Sequence, residues 1–323
     1  MPTRPYVERC APRALIKLAD MPRRAHAVTC APSPAGERHY INRFIETELM
    51  SGAPVELPEY MWGECGPPPP PAPPQAPSPP SLPPPSPPPP EQWFQFKASQ
   101  SLSLNEALVE QYGDMSGIVA GVEFPAGDYL LAPSLFDANT SAAEIWLLGN
   151  STAPTVLRLS PEWLGRPLVT VSEGAPPIYF SGLTLLAPIL VEAGGHAKLL
   201  GCTLANVSGD RALTIAGGDA FVSAGTTFEG NSAGAVRVDG GSLEMDAASV
   251  RANRASRGAA LLVTSGIVRV SNSTLQTNTA AVSGGAVQVD GGELTLASGT
   301  VLLDNQAPAG AAISYAAGEL SCE

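Results

Sequence analysis

Arginine is the residue type whose spacing in this chain most suggests a binding site. A planar guanidinium pairs with carboxylate or sulfate groups through parallel hydrogen bonds, which suits it to anionic ligands. Five arginines follow one another at short intervals: Arg237, Arg251, Arg254, Arg257 and Arg269. One interpretation is a contact surface for an anionic glycan. The other is ordinary solubilising charge, partly paired with acids such as Glu244.

The acidic residues do not show the spacing of an enzyme site. Glycoside hydrolysis needs two facing carboxylates about 5 to 9.5 Å apart, and a lyase needs clustered acids for Ca²⁺ and a base that abstracts a proton. The acids here are dispersed along the chain at Asp219, Asp239, Glu244, Asp246, Asp290, Glu293 and Asp304. Asp239 and Asp290 recur in the same Asp-Gly-Gly sequence, which is typical of a turn. We therefore predict no catalytic residues.

Metal and cofactor sites are not indicated either. His196 has no second histidine or cysteine at ligand spacing, and none of the five cysteines lies in a Cys-x-x-Cys pair. The chain contains no phosphate-binding loop and no Gly-x-Ser-x-Gly sequence. We predict no metal and no cofactor.

Four Asn-x-Ser/Thr sequences are candidates for N-glycosylation. Their asparagines are Asn139, Asn150, Asn206 and Asn272. Because this modification occurs in secreted proteins, the four sequences favour an extracellular location.

The charge balance disfavours nucleic acid as a partner. The chain has 18 Lys and Arg against 30 Asp and Glu, a net charge of -12, whereas binding phosphates needs a basic surface. No stretch approaches the ~20 apolar residues of a transmembrane helix. No signal peptide is visible, because the apolar run Ala14–Ile16 is interrupted at Lys17.

Composition divides the chain into three parts. Residues 1–65 show one helical pattern, at about 37–50, and are otherwise predicted to be largely disordered. Residues 66–91 contain 17 of the 34 prolines, which predicts a polyproline II linker of roughly 75 Å. The alternative is a PxxP ligand for an aromatic-lined groove, although flanking basic residues are absent. Residues 92–323 are rich in glycine, small and β-branched residues. They begin with the capping box Ser103-Leu104-Asn105-Glu106, which predicts a short helix.

A repeat of about 25 residues dominates the third part. Glycines end successive units at Gly195, Gly218, Gly241, Gly266, Gly292 and Gly318. Apolar residues alternate with polar ones at fixed distances from these glycines, as strands with one buried face do. Each unit supplies three short strands and three turns, which is one coil of a parallel β-helix.

The repeat predicts which side chains face the interior of the solenoid and which face the solvent. Val289 is predicted to face inward between Val263 and Tyr315, and Gln288 to face outward, so that Gln288→Asp would cost well under ~1 kcal/mol. Inward residues at equivalent positions of successive coils form a stack, which we call a ladder. One further inward ladder contains Leu204, Phe228, Val250, Leu275 and Val301. Asparagines recur after it at Asn206, Asn231, Asn253, Asn278 and Asn305. Because asparagine tolerates the left-handed conformation and bonds the backbone, these residues predict a stacked ladder of turns.

Two resemblances follow from these patterns. The capping helix, the strand after it and Pro125-Ala126-Gly127-Asp128-Tyr129 resemble the start of a right-handed parallel β-helix of the pectin-lyase-like fold. The repeat Asn231-Ser232-Ala233-Gly234-Ala235-Val236 resembles polymorphic outer-membrane-protein repeats of surface adhesins. The fold expected is all-β, a right-handed parallel β-helix solenoid of about eight coils with a short N-terminal capping helix. Within this domain, 92–323, the cap is expected at 101–131, irregular coils at 140–190 and regular repeats at 191–323.

The proline-rich part adds a third resemblance, to the rods of extensins and green-algal pherophorins. It implies a secreted, O-glycosylated wall or matrix protein. Together with the absence of a catalytic pattern, this predicts a non-enzymatic, extracellular or cell-wall-associated structural or adhesion protein, with a wall or matrix polysaccharide or glycoprotein as its partner. The alternative is a polysaccharide-active enzyme, either a lyase or a glycoside hydrolase, on the pectin-lyase-like fold. That fold's polygalacturonase signatures, Asn-Thr-Asp, Asp-Asp and Gly-His-Gly, do not occur in the chain.

The last residues suggest a further contact. Leu320 and Cys322 fall at inward positions of the final coil, and an uncovered coil exposes apolar side chains and unpaired strand edges. We therefore predict either that the natural chain is longer or that this open end pairs with a partner or with another copy, in end-to-end self-association.

Overall fold

The computed structural model describes residues 27–31, 40–42, 93–96, 103–150, 152–223 and 225–323. They form an all-β parallel β-solenoid of about 8 coils with one short helix at its start. The predicted fold class is confirmed. The proline-rich segment 66–91 lies outside the described residues, as does most of 1–65.

Each coil contributes one strand to each of three columns. The first column contains β6 (Ser134–Phe136), β9 (Val169–Val171), β12 (Ile189–Glu192), β15 (Leu213–Ala216), the beginnings of β18 (Val236–Asp246) and β21 (Leu261–Ser271), β24 (Val287–Val289) and β27 (Ile313–Tyr315). The second contains β3 (Trp93–Gln95), β4 (Val119–Glu123), β7 (Glu144–Leu148), β10 (Ile178–Ser181), β13 (His196–Leu200), β16 (Asp219–Val222), the ends of β18 and β21, β25 (Glu293–Leu296) and β28 (Glu319–Cys322). The third contains β5 (Gly127–Leu131), β8 (Thr155–Leu159), β11 (Thr184–Leu185), β14 (Thr203–Ala205), β17 (Thr227–Glu229), β19 (Ser249–Arg251), β22 (Thr274–Gln276) and β26 (Val301–Leu303).

The helix α1 (Leu104–Tyr112) precedes the solenoid and is capped as the sequence predicts. The Glu106 carboxylate accepts hydrogen bonds from Ser103 N–H at 3.0 Å and from Ser103 Oγ–H at 2.6 Å. These two bonds lower the pKa of Glu106. The helix ends at Gly113, which has φ +67° and donates its N–H to Val109 O.

The strand register confirms the inward ladder that the sequence predicts for the first column. Val263, Val289 and Tyr315 are partners in consecutive coils, and Val289 is 0 % exposed. Since the pairing follows the alternation residue by residue, the inward side chains of each strand stack on those of the coil before it.

The third-column ladder differs from the prediction at its last position. Leu275 pairs with Leu302, and Leu302 is buried, whereas Val301 faces outward. The reason is a turn one residue longer than in the coil before: Leu302 is six positions after Leu296, while Leu275 is five after Val270. The added residue shifts the alternation by one.

Four of the five predicted asparagines form a continuous buried ladder. The Nδ2 groups of Asn231, Asn253 and Asn278 each donate to Oδ1 of the next asparagine at 2.8 to 3.0 Å. Each of these Oδ1 atoms also accepts the backbone N–H of the asparagine before it. The ladder ends at Asn305, whose Nδ2 donates to Leu275 O at 2.8 Å.

Asn206 does not belong to this ladder, contrary to the prediction. Val207 occupies the ladder position and donates its backbone N–H to Asn231 Oδ1 at 2.9 Å. Asn206 is exposed and has φ +54°, as do the equivalent residues Ala252 (+55°) and Thr277 (+54°) of later coils. The left-handed conformation therefore belongs to the residue before each ladder position.

Gln288 is buried, although it faces away from the first column as predicted. It is 1 % exposed, because the turns that precede the first column fold over it and form a small sheet of β20 (Arg254–Arg257) and β23 (Thr279–Ser283). Ser283 Oγ donates to Gln288 Oε1 at 2.6 Å, and Gln288 Nε2 donates to Asp290 Oδ1 at 2.7 Å. The small expected cost of Gln288→Asp is therefore wrong, since a carboxylate there could not donate to Asp290.

Two further strands come from the N-terminal part. β1 (Ala27–Ala31) pairs antiparallel with β26 and with β2 (Tyr40–Asn42). The predicted helix at 37–50 is wrong for Tyr40–Asn42, whose backbone pairs with a neighbouring strand, and the rest of that segment lies outside the described residues. β1 thus covers the edge of β26, the last strand of the third column. The end-to-end self-association through Leu320 and Cys322 stays a prediction.

The repeated glycines allow the coils to approach closely, which gives a first testable prediction. A Cβ on Gly241 would lie 1.8 Å from Gly218 O, while one on Gly201 would have nothing within 4 Å; both residues have positive φ. We expect Gly201→Ala to cost about 1–2 kcal/mol, the left-handed strain alone. Gly241→Ala should cost about 2 kcal/mol more, because the coil must shift. Urea unfolding of the two variants measures the difference, and equal midpoints would contradict the close approach.

Candidate functional site

The structure distributes the five predicted arginines over three faces of the solenoid. Arg237 faces outward from the first column, Arg269 from the second and Arg251 from the third. Arg254 and Arg257 lie in β20, at the corner between the third and the first columns. The three middle arginines surround one turn as predicted, but the whole set does not form one surface.

Four of the five arginines are paired with carboxylates. The pairs are Arg237–Asp239 at 2.5 Å, Arg251–Glu229 at 2.8 Å, Arg257–Asp290 at 2.5 Å and Arg269–Glu323 at 2.6 Å. Arg269 thus pairs with Glu323 rather than with Glu244. Arg254 is exposed and has no carboxylate partner among the described residues.

A second surface arginine without a carboxylate partner in the described chain is Arg166, which the sequence analysis missed. It lies in the connection between β8 and β9, after a 3₁₀ turn at Pro161–Trp163. Its Cζ is 5.3 Å from the centroid of the Trp163 ring, a cation–π contact that holds the guanidinium at the surface. The neighbouring Leu164 is 74 % exposed. No signal in the repeat could have revealed Arg166, because it lies in the irregular coils before it.

Arg166 and Arg254 lie on the same corner of the solenoid, between the third and first columns. The chain segments that cross this corner differ in length. Arg166 lies in the segment 160–168 and Arg254 in the segment 252–260. The three coils between them cross the corner at 186–188, 206–212 and 230–235. These three connections are shorter, with three, seven and six residues against nine at either end.

A buried arginine fixes the backbone beside β20. Arg211 is 6 % exposed, and burial lowers its pKa to about 10, with the nearby charge of Arg237 adding to this effect. Its Nη1 donates to Val236 O at 3.0 Å and to Gly258 O at 2.7 Å, and its Nη2 donates to Arg257 O at 2.5 Å. These bonds fix the backbone at the end of β20. Gly234 makes room for the guanidinium, since a Cβ there would lie 2.6 Å from Nη1.

The outward acids at the repeated turns are held by side chains of neighbouring coils. Thr264 Oγ1 donates to Asp239 at 2.5 Å, and Ser271 Oγ donates to Asp246 at 2.7 Å. Ser242 Oγ donates to Asp219 at 2.6 Å, and His196 Nδ1 lies 3.2 Å from the other oxygen of Asp219. This serine bonds the carboxylate rather than the imidazole, so the histidine is not placed to activate it as a nucleophile. Within the described ranges, no three His, Cys, Asp or Glu residues group as metal ligands.

An aromatic stack on the second column is a further feature that the sequence analysis missed. The rings of Trp146 and Tyr179 are parallel within 6° at a centroid distance of 4.1 Å. Lys198 Nζ lies 5.0 Å from the Tyr179 ring centroid, and Trp146 Nε1 donates to Glu144 at 2.9 Å. Because Trp146 and Lys198 lie against Tyr179 in register, the stack connects neighbouring coils and does not offer the Tyr179 ring face to a sugar.

Three of the four predicted glycosylation sites are accessible. Asn139, Asn206 and Asn272 are exposed. Asn150 is partly buried, and its Oδ1 accepts hydrogen bonds from Thr152 N–H and Oγ1–H at 2.8 and 2.7 Å. Asn150 is thus the least exposed of the four, whereas the Nδ2 groups of Asn139 and Asn272, the atoms that would be modified, donate to Asp137 and Asp246 at 3.1 and 2.8 Å.

No helix in the part of the chain that the structure describes is long and apolar enough to cross a membrane. Comparison of the chain with models of protein families, with curated proteins and with solved structures finds no match.

Proposed function

We propose that this chain is a non-enzymatic structural or adhesion protein of the extracellular space or cell wall. Its solenoid is displayed on a proline-rich rod, residues 66–91, and it binds an anionic glycan through arginine. The proposal draws on the resemblance of the sequence to pectin-lyase-like β-helices, to polymorphic outer-membrane-protein repeats and to extensin or pherophorin rods. It also includes glycosylation at the exposed asparagines.

The proposal rests on a difference between the surface acids, which have hydrogen-bonding partners, and two surface arginines, which have no carboxylate partner among the described residues. The acids of the repeated turns are bound by neighbouring coils, while Arg254 and Arg166 lack carboxylate partners among the described residues and share one corner. An unpaired surface guanidinium can donate to an incoming carboxylate without first breaking an ion pair. Arg251 and Arg257 surround the same turn as Arg254 and add positive potential there, although each has its own carboxylate.

The experiment is to incubate the purified full-length chain with polygalacturonate and other uronans and to measure both binding and cleavage. We expect binding that weakens as salt is raised, because the contact is between exposed charges, and no release of new chain ends. A polysaccharide-active enzyme predicts the opposite result. Turnover that is abolished by substitution of one acid, such as Asp219→Asn, would overturn the proposed function.

A further inference from the structure

We propose that Cys30 and Cys322 form a disulfide bond that fastens β1 to the final coil of the solenoid. Cys30 lies in β1 and Cys322 in β28. β1 pairs with β26 and β28 pairs with β25, so the two strands lie at the same level above one coil. The bond does not depend on the proposed glycan contact, because it follows from the strand pairing alone.

The pairing of β1 gives Cys30 a defined register position above a corner of the solenoid. Thr29 is the antiparallel partner of Val301, so Cys30 continues the strand to the position opposite Thr300. Thr300 is buried at the corner between the second and third columns, where its N–H donates to Ala297 O at 3.2 Å. A hydrogen bond between residues three apart closes a tight turn, whose end Cα atoms are less than ~7 Å apart.

Cys322 continues the ladder beside this corner. Its partner in β25 is Leu296, whose own partner in the coil below is Val270. Leu296 and Val270 are buried, and the half-buried Cys322 packs against the same core. Cys322 therefore extends the inward ladder of the second column by one step.

The corner position and this ladder are in contact in the coils below. Thr300 Oγ1 donates to Val270 O at 3.0 Å. Three coils earlier, the equivalent residue Thr226 donates its Oγ1 to Leu199 O at 3.2 Å, and Leu199 belongs to the same ladder as Val270. The contact therefore recurs along this corner of the solenoid.

One coil higher, Cys30 and Cys322 occupy the two positions that are in contact below. A disulfide requires Cα atoms within about 7 Å of each other. The tight turn 297–300 brings the corner and the ladder to about this separation. The two cysteines can therefore be joined without moving either strand.

The oxidant that we propose is a small disulfide such as oxidised glutathione. One cysteine thiolate attacks its S–S bond, which releases one glutathione thiolate and leaves a mixed disulfide on the protein. The other cysteine thiolate attacks the protein sulfur of this mixed disulfide, forms the bond between Cys30 and Cys322, and releases the second glutathione. The two protons lost by the cysteines pass to the two released glutathione thiolates. An oxidising extracellular compartment favours this exchange.

Cys202 provides an internal comparison, because it occupies the same corner position in an earlier coil. Cys202 is fully buried, and burial raises its pKa to about 11. The thiol therefore stays protonated at neutral pH and out of reach of an oxidant. We expect Cys202 to remain a thiol under conditions that oxidise Cys30 and Cys322.

The test treats the purified full-length chain with oxidised glutathione, blocks the remaining thiols and identifies linked peptides by mass spectrometry after digestion without reductant. We expect one link within the chain, between Cys30 and Cys322. Oxidation should also raise the midpoint of thermal unfolding by roughly 5 °C or more, because the bond restricts the unfolded chain. A reductant should reverse both effects.

Cys30→Ser and Cys322→Ser should each abolish both the link and the rise in the unfolding midpoint. Cys65→Ser and Cys202→Ser are the matched controls, and oxidation should still produce the link and the rise in both. A link from Cys10 or Cys65 to either cysteine would overturn the proposal, and so would a dimer joined through Cys322. Retention of all thiols after oxidation of the folded chain would overturn it as well.

Discussion

Asn253→Asp is expected to destabilise the solenoid by about 3–5 kcal/mol, as the introduction of an unpaired buried charge does. Asn253 is 0 % exposed, and its Nδ2 donates to Asn278 Oδ1 at 3.0 Å and to Phe228 O at 3.1 Å. An aspartate keeps the acceptor of this side chain but replaces the donor with a second oxygen. That oxygen would face two acceptors that no water can reach.

Chemical denaturation of Asn253→Asp measures this cost, and Asn206→Asp is the matched control. Asn206 is exposed at a left-handed position, which aspartate also tolerates, so its replacement should change the free energy of unfolding by less than ~0.5 kcal/mol. Similar losses in both variants would show that the ladder does not stabilise the coils through its donors.

Val289→Asp is expected to cost about 4 kcal/mol or more. Val289 is fully buried between Val263 and Tyr315, where a carboxylate would have neither water nor a donor. This loss of stability should extend to the neighbouring coils, so that thermal unfolding begins around Val289.

Gln276→Asp provides the comparison for Val289→Asp. Gln276 faces outward in the third column between Arg251 and Leu303, and its replacement should cost well under ~1 kcal/mol. If the two variants melt at the same temperature, the inward register of β24 is wrong.

The ladders could be predicted from sequence because alternation and the repeated glycines act together. Where either signal weakens, the prediction is wrong. Val301, Leu302 and Leu303 are all apolar, so alternation could not decide which of them faces inward. The distance to the asparagine could have decided it, since Leu302 precedes Asn305 by three positions, as Leu275 precedes Asn278.

Other features depend on contacts that alternation does not encode. Gln288 occupies an outward position, and it is buried only because the long connections before β21 and β24 fold back as a second sheet. Arg254 could be selected as a candidate from its spacing. Arg166 could not, because its place on the same corner depends on how the irregular coils around Ile189 stack.

Arg211 has a consequence for how the solenoid comes apart. In most solenoids each coil contacts only its neighbours, so coils can detach one at a time from an end. Arg211 donates to Val236 O one coil further along and to Gly258 O and Arg257 O two coils further along. These bonds link coils that are not neighbours. We therefore expect these three coils to unfold together as one cooperative block.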